Sequence, residues 1–487
     1  MGKSHKIKEL IPALFLLSTY GFTFVKPALW SDDYVAVANP IQLSQSLLGD
    51  LRPIWALSNL FTFTILPTQI SGVLVRILAV VGLYMVYKRI LAELSPFFQN
   101  SEKHRLLFLA LLALPSVSIF VHWSVFWQNG FALYSSLLSF HFFARKKTAF
   151  NVLLSALFFA IAFLIYPPSS FACFGILAIL ARYQLTPKIL SWTSILQYFL
   201  ISASAVISSF SLFVSVNRII EIEINERVNI ISMGDLLIKL QYVMKVILLP
   251  FNIYGVSSPT NPLNALMIII VLSVFLYSHT SKFMRTQSTM SHSNNLKASV
   301  LLLVSLTPIL LSTDNQLEYR LIAGSSMYVT YVFLDTISTF SKSINFASLS
   351  YIIRPRQLKV ELLLFLFLII GCITCNLRYI NFFEFQFSSA RNFVIEETKK
   401  CDLKNPDTVI LVAPMTNPVY VPRIGIYSMT TDLASSWVPI PATRYFLKTD
   451  KVQFFDREAH GEFLTNPSYC LIELDKITSR LEPKWLW

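Results

Sequence analysis

The chain has 487 residues, 54% of them hydrophobic and 14% charged, with a mean hydropathy of +0.58. Soluble domains carry about a quarter charged residues, so this composition excludes an ordinary soluble enzyme and points to a polytopic membrane protein. A formal charge of +13 would suggest nucleic acid in a soluble chain; here it reads as positive charge held in cytoplasmic loops, and no nucleic-acid partner is expected.

The basic N-terminus, with Lys3, Lys6 and Lys8, leads into an apolar run from Leu10 to Val25. This resembles a signal peptide, and Ala36-Val37-Ala38 supplies a small-x-small pattern. The run is long for a signal core and Lys26-Pro27 separates it from that pattern, so it is expected to stay as a first span. A window of about 19 residues gives roughly eleven spans, near 9–27, 69–88, 105–121, 128–144, 149–166, 168–184, 192–214, 262–279, 298–312, 321–340 and 359–377. The aromatic-rich stretch 54–66 is short and reads as interfacial or re-entrant. The 236–249 stretch reads as an amphipathic helix lying on the membrane.

With the N-terminus inside, the connections place nineteen Lys and Arg residues on the cytoplasmic side against seven outside, before the tail. The inner set includes Lys88, Arg89, Arg145, Lys146, Lys147, Lys282 and Arg285; the outer set is Lys26, Arg52, Arg218, Arg227, Lys239, Lys245 and Arg320. That asymmetry is expected of a correctly oriented bundle. An odd number of spans puts the first loop and the C-terminal tail on the same outer face.

From about Asn381 the long apolar runs stop. A helical stretch, 388–400, precedes β-like runs at 408–413, 451–455 and 468–472. The expected architecture is therefore a polytopic α-helical bundle over 1–380 and a small α/β domain over 381–487. Of the five cysteines, Cys401 and Cys470 lie in that domain and could pair in an oxidising compartment; the sequence leaves this open. Cys173, Cys372 and Cys375 fall in or near spans and read as buried apolar residues.

The first outer loop carries Trp30-Ser31-Asp32-Asp33-Tyr34, followed by Gly49-Asp50-Leu51-Arg52-Pro53. Two adjacent carboxylates at a membrane edge are costly unless solvated or paired. Asp32 and Asp33 diverge by about 100° on a helix, so one can face a cleft as general base while the other anchors local structure. Arg52 and Arg320 stand on the outer side, against the positive-inside trend, where a guanidinium fork suits a lipid phosphate. Tyr34, Trp127, Tyr166, Arg218 and Tyr319 are candidate substrate contacts. Arg76 and Asp335 are the charges set inside spans, and pairing or snorkelling accounts for them. P-loop, dinucleotide and zinc-protease motifs are missing, so a donor would arrive already activated, through the membrane. An Asp pair alone is too small a ligand set to argue for a divalent metal, and no cofactor is expected.

This layout resembles the GT-C class of membrane glycosyltransferases. More narrowly, the Trp30–Tyr34 and Gly49–Pro53 motifs resemble those of the GtrII-like family of serotype-converting O-antigen glucosyltransferases. The resemblance implies a multi-pass protein of the bacterial inner membrane with a periplasmic C-terminal domain. It implies a polyprenyl-phosphate glucose donor flipped from the cytoplasmic face and an O-antigen polysaccharide acceptor of lipopolysaccharide. Carried over, Asp32 or Asp33 is the acceptor base, and Arg52 and Arg320 bind donor phosphate. The competing readings are an O-antigen polymerase or ligase, and a flippase or transporter of a lipid-linked sugar.

Overall fold

The computed structural model describes residues 2–29, 32–66, 68–99, 101–145, 148–186, 191–225, 249–253, 262–280, 290–311, 322–343, 356–401, 408–412, 439–448, 451–455 and 469–474. These are mostly helical. In chain order the first twelve helices are α1 (Gly2–Val25), α2 (Asp32–Ala38), α3 (Pro40–Gly49), α4 (Pro53–Ile65), α5 (Thr68–Glu93), α6 (Pro96–Gln99), α7 (Glu102–Leu111), α8 (Pro115–His122), α9 (Asn129–Phe143), α10 (Ala149–Ile165), α11 (Pro167–Tyr183) and α12 (Trp192–Ile219). Helices Pro262–Thr280, Met290–Ser305, Thr307–Leu311, Ala323–Ser343 and Arg356–Tyr379 follow.

The described residues of the eleven apolar stretches are mostly helical, and the boundaries have local causes. Proline opens α3, α4, α8 and α11 at the first turn, where its missing N–H costs nothing. The side chains of Thr148 and Ser191 accept from Asn151 N and Ser194 N, capping α10 and α12. The 54–66 stretch is α4, whose thirteen residues span about 20 Å, short of a bilayer core.

By length and composition, three helices among the described residues can cross a membrane: Ile70–Glu93, Trp192–Ile219 and Glu361–Tyr379. The 105–121 stretch is broken into α7 and α8, bent by 59°, because Pro115 cannot continue the helix. The carbonyls exposed at the bend are taken up by distant side chains: Tyr20 Oη donates to Leu112 O and Arg378 Nη2 to Ala113 O. This is how a broken helix is tolerated where water is scarce.

Nearly all of α11 is buried, and it packs between α9, α10 and the Met290–Ser305 and Ala323–Ser343 helices. The close approach depends on glycine. A Cβ on Gly175 would lie 2.2 Å from the carbonyl oxygen of Gly324, and one on Gly324 would lie 2.8 Å from that of Ala172. Small residues at such crossings let helix backbones touch. At the periphery, Leu57, Phe61, Ile70, Leu153, Leu196, Ile207 and Leu366 are exposed. So much apolar surface has no place in water; this is the build of a helical membrane protein.

The Arg356–Tyr379 helix passes through a π turn, Ile380–Glu384, into the helix Phe385–Lys400 without a break. Beyond it, β1 (Thr408–Val412), β2 (Val452–Phe455) and β3 (Tyr469–Glu473) form a parallel sheet in the order β2-β1-β3. The helix Pro439–Leu447 lies between β1 and β2 in sequence, as a parallel crossover requires. A separate small core gathers Phe393, Val394, Val409, Leu411, Val452, Cys470 and Ile472. Cys401 and Cys470 form a disulfide across 69 positions, tying the end of the Phe385–Lys400 helix to β3. The 236–249 stretch lies outside the described residues.

Candidate functional site

Asp32 and Asp33 open α2, a helix that must end by Ala38 because Asn39 caps the next one and Pro40 starts it. The side chain of Asp32 lies outside the described residues. Asp33 is fully buried, and its two oxygens accept from the backbone N–H of Val125 at 2.9 Å and of Ser124 at 3.4 Å. Those donors begin the 3-10 turn Ser124–Phe126. Asp33 is thus the N-terminal cap of a turn 92 positions away, an ideal partner for exposed N–H groups in a buried setting.

The Gly49–Pro53 turn is pinned on both sides. Leu51 takes a left-handed φ of 56°, and Arg52 N donates back to Leu47 O. Near the end of α12, Asn217 Nδ2 donates to Leu48 O, and in the chain beyond it Asn225 Nδ2 donates to Asp50 Oδ1 and Asn225 N to Gly49 O. Gly49 permits this contact, since a Cβ there would lie 2.8 Å from Glu223 O. The 215–225 connection therefore covers the turn.

Arg52 emerges from that turn as the residue before α4. Its Nη1 lies 3.4 Å from Asp50 Oδ2, and its guanidinium carbon sits 5.1 Å from the ring centres of both Trp55 and Tyr166. Two aromatic faces and one carboxylate hold the fork rigidly, a cation–π arrangement that Arg favours. The Arg52 Nε is buried without a hydrogen-bond partner among the described residues. A buried donor left this way costs about 1–3 kcal/mol, which an incoming anion would recover.

Val125 joins the two halves of the site. Its N–H is bound by Asp33, and its carbonyl accepts from Trp55 Nε1 at 2.5 Å and Asn59 Nδ2 at 3.3 Å. Asn59 Oδ1 in turn accepts from Trp127 Nε1 at 3.2 Å, and the Gln128 side-chain amide lies 2.8 Å from both Asn59 Oδ1 and Ser58 Oγ. Phe126 packs on Trp55 and on Tyr166 at 4.7 and 5.7 Å between ring centres. Four of the sequence candidates, Asp33, Arg52, Trp127 and Tyr166, thus belong to one connected cluster.

The other candidates do not join it. Tyr34, the next residue of α2, is buried against other partners, stacked on Phe387 at 6.5 Å and edge-on to Phe446 at 5.6 Å. It docks the helices of the C-terminal portion against α2 instead of lining the Arg52 cluster. Tyr166, a member of the cluster, is buried against Arg52, so its ring is occupied by a protein cation. Arg218 is exposed in the last turn of α12, beside the buried Asn217. Arg320 and Tyr319 lie outside the described residues.

Sequence reasoning missed what fixes the approach to α2. Arg76, expected to pair or snorkel, is fully buried and donates to the carbonyls of Gly72, Ala28 and His122. Tyr379 Oη donates to Lys26 O and accepts from Ala28 N. Together they clamp 26–28, just ahead of the acidic pair, and Arg76 also grips the residue leading into the turn that Asp33 caps. The signal available was the rarity of an arginine inside a span; its partners were not readable. Asp335 pairs with Lys103. Among the described residues no group of three or more metal-ligating side chains comes together.

No protein-family profile, no curated protein and no solved structure matches this chain.

Proposed function

We propose that the protein is a polyprenyl-phosphate-sugar-dependent glycosyltransferase of the GT-C class, resembling the GtrII-like family, that glucosylates a lipopolysaccharide O-antigen unit on the periplasmic side. The observation that carries this reading is Arg52: a guanidinium clamped by Asp50, Trp55 and Tyr166, whose buried Nε has no hydrogen-bond partner among the described residues, one hydrogen-bonded turn away from Asp33. Such a fork suits the phosphate of a lipid-linked donor. The apolar helices supply a bilayer setting, and the Cys401–Cys470 disulfide fits an oxidising compartment. Eleven membrane passes, with the N-terminus in the cytoplasm of a bacterial inner-membrane protein, would bring α2 and the C-terminal portion to the periplasmic face; the contact of Tyr34 with Phe387 and Phe446 agrees with that.

In this reaction Asp33 is a positioning residue and Asp32 is the base. Asp32 takes the proton of an acceptor hydroxyl as its oxygen attacks the anomeric carbon. The bond from that carbon to the phosphate oxygen breaks, its electron pair leaves with polyprenyl phosphate, and the configuration inverts. Arg52 stabilises the charge growing on the departing phosphate, with Arg320 as a second cation.

The test is a transfer assay with purified protein, polyprenyl-phosphate glucose carrying a labelled sugar, and O-antigen. The expected result is labelled polysaccharide and released polyprenyl phosphate, lost in Asp32→Asn. No turnover by the wild type, or full turnover by Asp32→Asn, overturns the proposal. Movement of the lipid-linked sugar across vesicles without turnover would make the protein a transporter instead.

A further inference from the structure

A groove of about 310 Å³ opens between α9, α10 and α12, remote in sequence from the acidic pair. Its walls are Phe142, Phe143, Val152, Leu200 and Ile201, with the amides of Asn151 and Gln197 as its polar lining. Phe142 and Phe143 end α9, while Asn151 and Val152 stand in the first turn of α10. The groove therefore lies at the level where the chain turns between these helices, near one end of the bundle. Around it Phe150, Leu153 and Leu196 are exposed, and Trp192 is exposed at the start of α12, where an aromatic ring marks the headgroup level.

The groove wall at Phe142 carries a cation. Arg145 is exposed, and its guanidinium carbon sits 5.5 Å from the centre of the Phe142 ring. Lys146 and Lys147 follow in sequence, and the Lys and Arg distribution assigns this connection to the cytoplasmic side. That leaflet carries the anionic lipid.

We propose that this groove holds one acyl chain of an anionic phospholipid whose headgroup phosphate lies on Arg145. A hydrocarbon chain matches walls that are almost wholly apolar. Gln197, the sixth residue of α12, lies about 8 Å along the helix from its start, so the groove runs from the helix ends into the bundle. The Arg145 guanidinium, beside the Phe142 wall, favours a headgroup that carries net negative charge over a zwitterionic one. This inference is independent of the sugar chemistry proposed above.

The test reconstitutes the full chain in vesicles of equal phosphatidylglycerol and phosphatidylethanolamine, extracts it in mild detergent and identifies retained lipid by native mass spectrometry. Retention of phosphatidylglycerol over phosphatidylethanolamine is expected, reduced about fivefold or more by Arg145→Glu and reduced also by Leu200→Trp, whose larger ring narrows the groove. Arg145 is exposed, so its variant does not depend on core packing. Equal retention of the two lipids, retention unchanged in Arg145→Glu, or no retained lipid at all overturns the proposal. Recovery of a polyprenyl lipid in place of phosphatidylglycerol also overturns it, by assigning the groove to the donor.

Discussion

Asp33 and Val125 are joined by a 2.9 Å hydrogen bond between a fully buried carboxylate and a backbone N–H, and the same peptide unit binds Trp55 through its carbonyl. The two aspartates should therefore fail in different ways. Asp33→Asn keeps one acceptor but turns the other towards a backbone donor, so it should destabilise the protein by about 1–3 kcal/mol, seen as a lowered melting temperature in detergent. Asp32→Asn should melt like the wild type and lose transfer. Equal melting losses in the two variants would contradict this division.

Arg52 should matter to donor binding more than to folding. Arg52→Lys keeps the charge and loses the planar fork and its stacking on Trp55 and Tyr166. The expected effect is a rise of about 10–100-fold in donor KM, the worth of one charge-assisted hydrogen bond, with acceptor KM unchanged. Steady-state kinetics with each substrate varied in turn checks it.

The contact of Tyr34 with Phe387 and Phe446 couples α2 to the C-terminal portion. Tyr34→Ala should release that contact, at about 0.5–1.5 kcal/mol for each aromatic pair lost, while Tyr34→Phe should retain it. Limited proteolysis provides the readout: faster cleavage beyond residue 385 is expected in the alanine variant alone.

Breaking the Cys401–Cys470 bond should loosen the C-terminal portion locally. A closed loop of 69 positions corresponds to about 4 kcal/mol in the chain-entropy account. Cys470→Ser should lower the unfolding temperature of that portion, measured by the accessibility of its remaining cysteine to a thiol reagent, without disturbing the helical bundle.

At the crossing of α11 with the Ala323–Ser343 helix, Gly175→Ala should be among the most damaging small substitutions. Its methyl would sit 2.2 Å from a backbone oxygen that no side-chain rotation can move, so a cost at or above about 1–3 kcal/mol follows. Gly21→Ala is the control: it meets nothing within 4 Å and should express and melt like the wild type.

The long apolar helices and the three strands were legible in the sequence, because hydropathy acts over contiguous stretches of chain; the short helices α2, α3 and α6 and the Pro439–Leu447 helix, which lack such a run, were not. The acidic pair, Arg52, Trp127 and Tyr166 were also legible as candidates, since polar and aromatic groups at the ends of apolar runs are conspicuous. Their division of labour was not. Asp33 is capped onto a turn 92 positions away, and Tyr379 holds Ala28 across 351. Arg76 reads as a charge that pairs or snorkels, yet its Nη1 and Nη2 bind backbone carbonyls, and Tyr34 reads as a substrate contact, yet aromatic rings from the C-terminal helices pack on it. Sequence alone determined that this chain builds a helical membrane protein with an acidic–cationic motif at one helix end. Only tertiary structure decided which carboxylate is committed to the backbone and which rings clamp the arginine. Partners so distant in sequence are chosen by packing and hydrogen-bond satisfaction in the folded core, and neither is written in local composition.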